Sequence, residues 1–191
     1  LPEWFKSRQE PSVSFPNGKV VLFNDTFISY NYPEVGKSAV RVLERAGYEV
    51  ILASIGEKGV QGISCCGRPF ISKGLLDKAV SNARHNVDLL YEYVRQGFPI
   101  IGCEPSCVLA LKDEYVGLIN DQKAKEVAQS TYLIDEFLIS LHKRGQLDLG
   151  SSRVAKKVLF FGHCHQKAHS GTKYSTDLLE LLPGVQVKEL V

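Results

Sequence analysis

The stretch Ile63-Ser64-Cys65-Cys66-Gly67 opens, and Gly102-Cys103-Glu104-Pro105-Ser106-Cys107 closes, a segment that holds four of the five cysteines of this 191-residue chain. Between its ends lies one long helical pattern. Ala79, Ala83, Val87, Leu90 and Val94 share one face of a helix predicted over residues 75–96, and Gly97 ends it. Working outward, residues 99–101 read as a strand, and Pro105-Ser106 begins a helix reaching about Tyr115. Upstream, residues 48–55 (YEVILASI) read as a strand that leads through Gly56, Gly59 and Gly62 to the cysteine pair. Lys19 to Phe23 (KVVLF) is a nearly all-apolar run of the kind buried on both faces in a parallel sheet. A helix over residues 31–46 lies between these two strands, with Val35, Ala39, Leu43 and Ala46 on one face and Gly47 as its stop.

Downstream, Asp121 caps a predicted helix whose inward residues are Ala124, Val127, Ile134, Phe137 and Leu141, ending at Gly145. Polar residues 146–153 separate it from a strand at 158–161, a short helix at 176–182 and a last strand at 185–190. Alternating strands and helices predict an α/β, Rossmann-like fold with a mostly parallel sheet and flanking helices. In such sheets the loops beyond the carboxyl ends of the strands build the site. Cys65, Cys66, Cys103, Cys107 and Cys164 all fall in such loops or at the following helix start.

There is also a partial internal repeat. Laid without gaps, residues 19–50 over 156–187 pair Val21-Leu22-Phe23 with Val158-Leu159-Phe160, Gly47 with Gly184 and Val50 with Val187. The second copy stops before its counterpart of Cys65-Cys66, so the sequence predicts a continuation with a second cysteine pair shortly beyond Val191. The segment through Gly18, with three prolines and scattered charges, reads as a linker from something upstream.

With 23 basic and 21 acidic side chains, a net charge of +2 gives no electrostatic case for nucleic acid or acidic lipid. No apolar run approaches the roughly 20 residues that span a bilayer, and the start is not a signal peptide. Five cysteines, two of them adjacent, are poor structural staples, so the reading is a reducing, cytoplasmic compartment with cysteines kept as thiolates or ligands. Soft thiolates select iron–sulfur clusters or zinc over magnesium or calcium, and adjacent cysteines suit a cluster of several irons. Cys107 at a helix start is where the helix dipole favours thiolate. In His163-Cys164-His165 at most the two histidines face one way along an extended chain. Lys167, His169 and Lys173 nearby suit an anionic group, whereas His85 and His142 read as structural. From the residues alone, a cluster, a zinc site using Cys65, Cys107, Cys164 and a histidine, a metal-free Cys65/Cys66 thiol couple and a bare scaffold all remain open.

Cys65-Cys66-Gly67-Arg68-Pro69, Glu104-Pro105-Ser106-Cys107 and Gly162-His163-Cys164-His165-Gln166-Lys167-Ala168 together resemble the cysteine-rich CCG domain. That family includes the B subunit of heterodisulfide reductase, the C subunit of anaerobic glycerol-3-phosphate dehydrogenase and lactate-utilisation iron–sulfur proteins. Similarity is greatest to the C-terminal region of FAD-linked glycolate or D-lactate oxidases, where Asp25-Thr26-Phe27 and Tyr32-Pro33-Glu34-Val35-Gly36 also fit. The resemblance implies residues 1–18 as linker, 19–150 as a first CCG domain and 151–191 as the start of a second. It implies a 4Fe-4S type iron–sulfur cluster bound through Cys65, Cys66, Gly67, Cys107 and Cys164, with Cys103 and His163 as further candidate ligands. The implied role is non-catalytic electron relay from FAD in an upstream flavin-containing dehydrogenase domain or subunit to quinone or another acceptor. Peripheral association of the full complex with the inner face of a membrane follows from the same resemblance. Two positions depart from the family pattern. The gapless repeat puts Phe27 where a lone cysteine precedes the pair, and Glu104 stands where Cys-Pro-x-Cys has its first cysteine.

Overall fold

The computed structural model describes residues 1–9, 14–55, 62–150 and 153–190. The chain divides into two compact units, Leu1–Tyr132 and Leu133–Val191. In the first, α1 (Pro2–Ser7) is followed by β1 (Lys19–Leu22), a π-helical turn (Phe27–Asn31), α2 (Pro33–Arg45) and β2 (Glu49–Leu52). The short α3 (Arg68–Ser72) and the long α4 (Leu76–Val94) lead to β3 (Ile100–Gly102). Then come α5 (Pro105–Leu109), a second π-helical turn (Ala110–Glu114), α6 (Tyr115–Ile119), α7 (Gln122–Gln129) and β4 (Thr131–Leu133).

The sheet order is β2-β1-β3-β4, with β1 parallel to both β2 and β3. The apolar run at β1 makes it the central strand. Val20, Val21 and Leu22 are wholly buried, and Phe23 follows at 1% exposure. On one face Val21 and Phe23 enter a core with Ala83, Val87 and Leu90 of α4, Ile100 of β3, and the thiols of Cys66 and Cys107. The expected stripe on α4 is thus the buried one.

Three expectations need correction. On α2 the buried face is Gly36, Ala39, Val40 and Leu43, while Val35 is half exposed. A Cβ on Gly36 would lie 2.5 Å from Leu1 Cδ2 and 3.3 Å from Ile28 Cβ, so Leu1 and Ile28 pack closely on the glycine and mark the buried face. The single helix predicted from Asp121 to Gly145 is two, interrupted by β4. Thr131 and Tyr132 favour strand over helix; the buried Thr131 donates to Val127 O at 2.7 Å, and Ser130 O accepts from Ile100 N at 2.8 Å. Asp121 still caps α7, accepting from Lys123 N. Finally, the segment read as linker carries α1, tied down by an Arg8–Glu44 ion pair at 2.6 Å.

The second unit contains α8 (Ile134–Lys143), β5 (Lys156–Phe161), α9 (Cys164–His169), α10 (Lys173–Glu180) and β6 (Val185–Leu190). Strands β5 and β6 are parallel neighbours, so the strand–helix–strand unit does recur. Gln166, 4% exposed, donates to Asp135 Oδ2 at 3.1 Å and to Ser175 Oγ at 2.7 Å, and Ser175 also donates to Asp135. Leu159 and Phe161 are 68% and 66% exposed, leaving one face of β5 open.

The recurrence differs by one residue from the gapless overlay. Sheet partners lie 30 residues apart in the first copy (Lys19 with Glu49) and 29 in the second (Lys156 with Val185). Val50 pairs with Val20, and its equivalent Val187 pairs with Val158. The strand equivalence is therefore Val20 with Val158, which carries Asp25 to His163 and Thr26, not Phe27, to Cys164. The turn after each strand agrees. Asp25 Oδ1 accepts from Phe27 N at 2.7 Å, and His163 Nδ1 accepts from His165 N at 3.2 Å, each a side chain capping the residue two places on.

Candidate metal centre

The loop after β2 and the turn after β3 meet beyond the carboxyl ends of the strands. Cys66 Sγ donates to Cys107 Sγ across 3.2 Å, in contact but well beyond the roughly 2.05 Å of a disulfide. Both residues are buried, whereas Cys65 is exposed. Of the candidate ligands, Cys66 and Cys107 are thus in contact, with Cys65 next to Cys66 in the chain. Gly67, at φ 80°, is the N-cap of α3 and turns the chain away directly after the pair. That left-handed backbone is why glycine follows the two cysteines.

The pair is held from below by two residues that sequence reading passed over. Asn86, fully buried on α4, accepts from Ser64 N at 2.7 Å. Its amide donates to Ser64 O at 3.2 Å, to Cys65 O at 3.3 Å and to Tyr115 Oη at 3.0 Å. Tyr115 in turn donates to Cys66 O at 2.9 Å. A polar residue between Ala83 and Val87 on the buried stripe of α4 was the signal available in the sequence. His85 also helps, its Nε2 lying 3.1 Å from Gly62 O, and Arg68 pairs with Glu114 at 2.6 Å.

Electrostatically the site is acidic. Glu104 caps α5, its carboxylate accepting from Cys107 N at 2.6 Å. Asp25 is 5% exposed, and its Oδ2 has no hydrogen-bond partner among the described residues. Burial, reinforced by Glu104, raises its pKa against the pull of the Ile28 and Phe27 amides. The Cys66 thiol is pushed up to about 12, first by its hydrogen bond to Cys107 and then by burial. Cys65, though exposed as a residue, is pushed up first by its hydrogen bond to Cys66 and then by partial desolvation of its sulfur. At Cys107 the hydrogen bond from Cys66 lowers the pKa, but burial and the Glu104 and Asp25 carboxylates outweigh it. The thiolate expected there from a helix start is thus corrected: the neighbouring acids oppose the dipole. Metal loading must displace these protons, so uptake weakens as pH falls.

Asp25 offers a direct test. Its folded pKa lies above the unfolded value, so its burial costs stability once it ionises and costs nothing at pH below both values. In the metal-free protein D25N keeps the capping oxygen and is expected to stabilise by about 1 kcal/mol at pH 7, the scale of a single buried-group change. The gain should shrink towards zero as the pH is lowered below the ordinary carboxylate range. Urea titrations at several pH values check this, and a gain independent of pH would sink it.

Cys103 is partly buried and lines a separate cavity of about 250 Å³ with Phe27, Tyr32, Val35 and Pro105. Cys164 is exposed at the start of α9 in the second unit, where His163 is the N-cap and His165 stacks edge-on against His169 with ring centres 5.4 Å apart. That local chain is helical rather than extended. Among the described residues no three His, Cys, Asp or Glu side chains converge on a position for a single metal ion. The donor chemistry, three thiols side by side on fixed backbone, suits a group that spreads its bonds over several metal atoms.

A family model described as a CCG cysteine-rich domain matches residues 23–112. The C subunit of anaerobic glycerol-3-phosphate dehydrogenase from Escherichia coli K12 is 31% identical over 98% of the chain and 45% of its own length. Lactate utilization protein A from Oceanobacillus iheyensis is 30% identical over 90% of the chain and 67% of its own length. The chain belongs to the cysteine-rich CCG domain family. D-2-hydroxyglutarate dehydrogenase from Escherichia coli K12 is similar at 27% identity, over 76% of the chain but 13% of that enzyme. The chain spans less than half the length of the glycerol-3-phosphate dehydrogenase subunit it matches. Within the matched region lie Cys65, Cys66, Cys103 and Cys107, so the CCG domain coincides with the thiol group of the first unit. Among the described residues of this CCG protein, no helix is long and apolar enough to cross a membrane.

Proposed function

We propose that this chain is the iron–sulfur electron-transfer portion of a flavin-linked dehydrogenase or oxidase acting on a small 2-hydroxyacid of the glycolate or D-lactate type. The observation that carries this reading is the contact of Cys66 with Cys107 at 3.2 Å, beside Cys65, in a CCG domain whose relatives include a dehydrogenase and a dehydrogenase subunit by name. Cys65, Cys66 and Cys107 would hold a cluster of the 4Fe-4S type, with Cys164 and His163 serving the second copy. The domain limits at 19–150 and 151–191 belong to the same reading. A bound cluster supplies one-electron carriage between FAD in another domain and a quinone or other acceptor. The chain's own residues bind and orient. Asn86 and Tyr115 fix the carbonyls of Cys65 and Cys66, Gly67 ends the loop, and burial of Cys66 and Cys107 excludes water. The full assembly would work in the cytoplasm or on the inner face of the membrane through its partners.

Metal and acid-labile sulfide content of anaerobically prepared protein, with absorption and electron paramagnetic resonance spectra, tests this. Iron with matching sulfide is expected. Zinc in place of iron would move the site to a structural role. A metal-free thiol reading has its own support in the Cys66–Cys107 contact, and absence of metal with reversible loss of both free thiols would favour it.

A further inference from the structure

The corrected repeat register places Thr26 at the position that Cys164 holds in the second copy. The capping geometry fixes this independently of strand pairing, because Asp25 and His163 play one role one residue earlier. Thr26 and Cys65 also line one cavity. A hydroxyl therefore stands beside Cys65 where the repeat would supply sulfur.

A cavity of about 310 Å³ opens at this point, lined by Thr26, Cys65, Asp25, Ser29, Ser54 and Lys6 among others. Its lining is rich in hydroxyl and charged groups. The lining is also held in shape: Asn24 donates to Ser54 Oγ at 2.6 Å and to Ser29 Oγ at 3.0 Å, and accepts from Ser54 N at 3.0 Å. Beside it, Asp25 is 5% exposed with one carboxylate oxygen unpartnered among the described residues. At the low end of ligand-pocket sizes, the cavity admits a small molecule only.

We infer that the first-copy centre is short of one protein ligand at Thr26, and that the cavity beside Thr26 and Cys65 admits a small hydroxylated molecule whose oxygen takes that position. The inference rests on the proposed iron–sulfur reading. Cys65, Cys66 and Cys107 supply soft sulfur. Ser29, Ser54 and Lys6 line the cavity and are placed to receive the polar body of the ligand. Cys103 is not the missing ligand, because it lines the other cavity, with Phe27 and Pro105.

The test uses the full chain loaded anaerobically with iron and sulfide, as wild type, T26C and C103S, with far-ultraviolet circular dichroism confirming the fold of each. Cyanide is the probe for an open iron position, and glycolate is the hydroxylated competitor. Cyanide is expected to shift the electron paramagnetic resonance spectrum of wild type and C103S, and to leave T26C unshifted. Glycolate should reduce the wild-type shift in a saturable way. An equal shift in wild type and T26C, or none in wild type, overturns the open position. A wild-type shift that glycolate leaves unchanged overturns the ligand class. Failure of all three proteins to take up iron would instead remove the proposed function, and this inference with it, so the two failures are distinguishable.

Discussion

Replacing Cys66 by serine is expected to remove iron and sulfide from the protein while leaving its fold in place. Cys66 is 3% exposed, and its sulfur touches Cys107. Serine preserves the shape and can still donate to Cys107, so the buried pocket neither collapses nor acquires a charge. What it loses is the soft, polarisable donor that iron–sulfur chemistry requires. Even outer partners of metal ligands cost ~10- to 100-fold in affinity when removed, so loss of a direct ligand should reduce bound iron by at least about tenfold. C107S should behave alike, since each sulfur is the other's neighbour. C103S should retain its iron, because Cys103 faces a different cavity. Iron and sulfide assays on the purified variants, beside circular dichroism, decide the matter. Full iron retention in both C66S and C107S would sink the assignment of these ligands.

Asn86→Ala should be the most destabilising single change near the site. Asn86 is wholly buried and serves four partners: Ser64 N, Ser64 O, Cys65 O and Tyr115 Oη. Truncation strands an amide donor and carbonyls in the core. Unsatisfied buried groups cost about 1–3 kcal/mol each. Relaxation recovers part of this, through Tyr115 keeping its bond to Cys66 O and Asn82 its bond to Cys65 O at 3.1 Å. A net loss of about 3–4 kcal/mol is expected, among the large values for a point change. Trp4, the one tryptophan, lies in α1 of the first unit, so its fluorescence during urea unfolding reports that unit. Asn86→Asp is the companion variant. It keeps the acceptor for Ser64 N but loses the donors, and should fall between wild type and alanine at low pH only. A loss below about 1 kcal/mol for the alanine variant would mean that the cysteine loop holds itself.

Much of this architecture was readable in the chain because local patterns and tertiary demands agree. The β1 run is apolar at every position after Lys19 since helices and loops cover both faces. The α4 stripe was legible for the same reason. What escaped the sequence depends on partners distant along the chain. Ala124, Val127, Ile134, Phe137 and Leu141 keep a helical period straight through Thr131, although Ser130 bonds to Ile100 and breaks the helix there. Gly36 carries no hydropathy, so the true face of α2 was hidden until Leu1 and Ile28 were seen against it. At the site the cysteine pair and Cys107 declared themselves by chemistry. Thr26 did not, because a crossover one residue shorter in the second copy shifts the equivalence, and a gapless comparison cannot register that. Asn86 left only the trace of a polar residue on an apolar stripe and Tyr115 left none, because the role of each is fixed by the distant cysteine loop.

The contrast between β1 and β5 has a consequence for motion. Strand β1 is flanked by neighbours on both edges and covered on both faces, so its amides should exchange with deuterium only when the first unit unfolds as a whole. Strand β5 has one neighbour in its sheet among the described residues and shows Leu159 and Phe161 to solvent. Its amides should exchange through smaller openings that leave the first unit untouched. The chain therefore carries two tiers of protection, and the first unit is the slow one. A thermal scan should show a broadened or double transition, in which the thiol-bearing unit melts last.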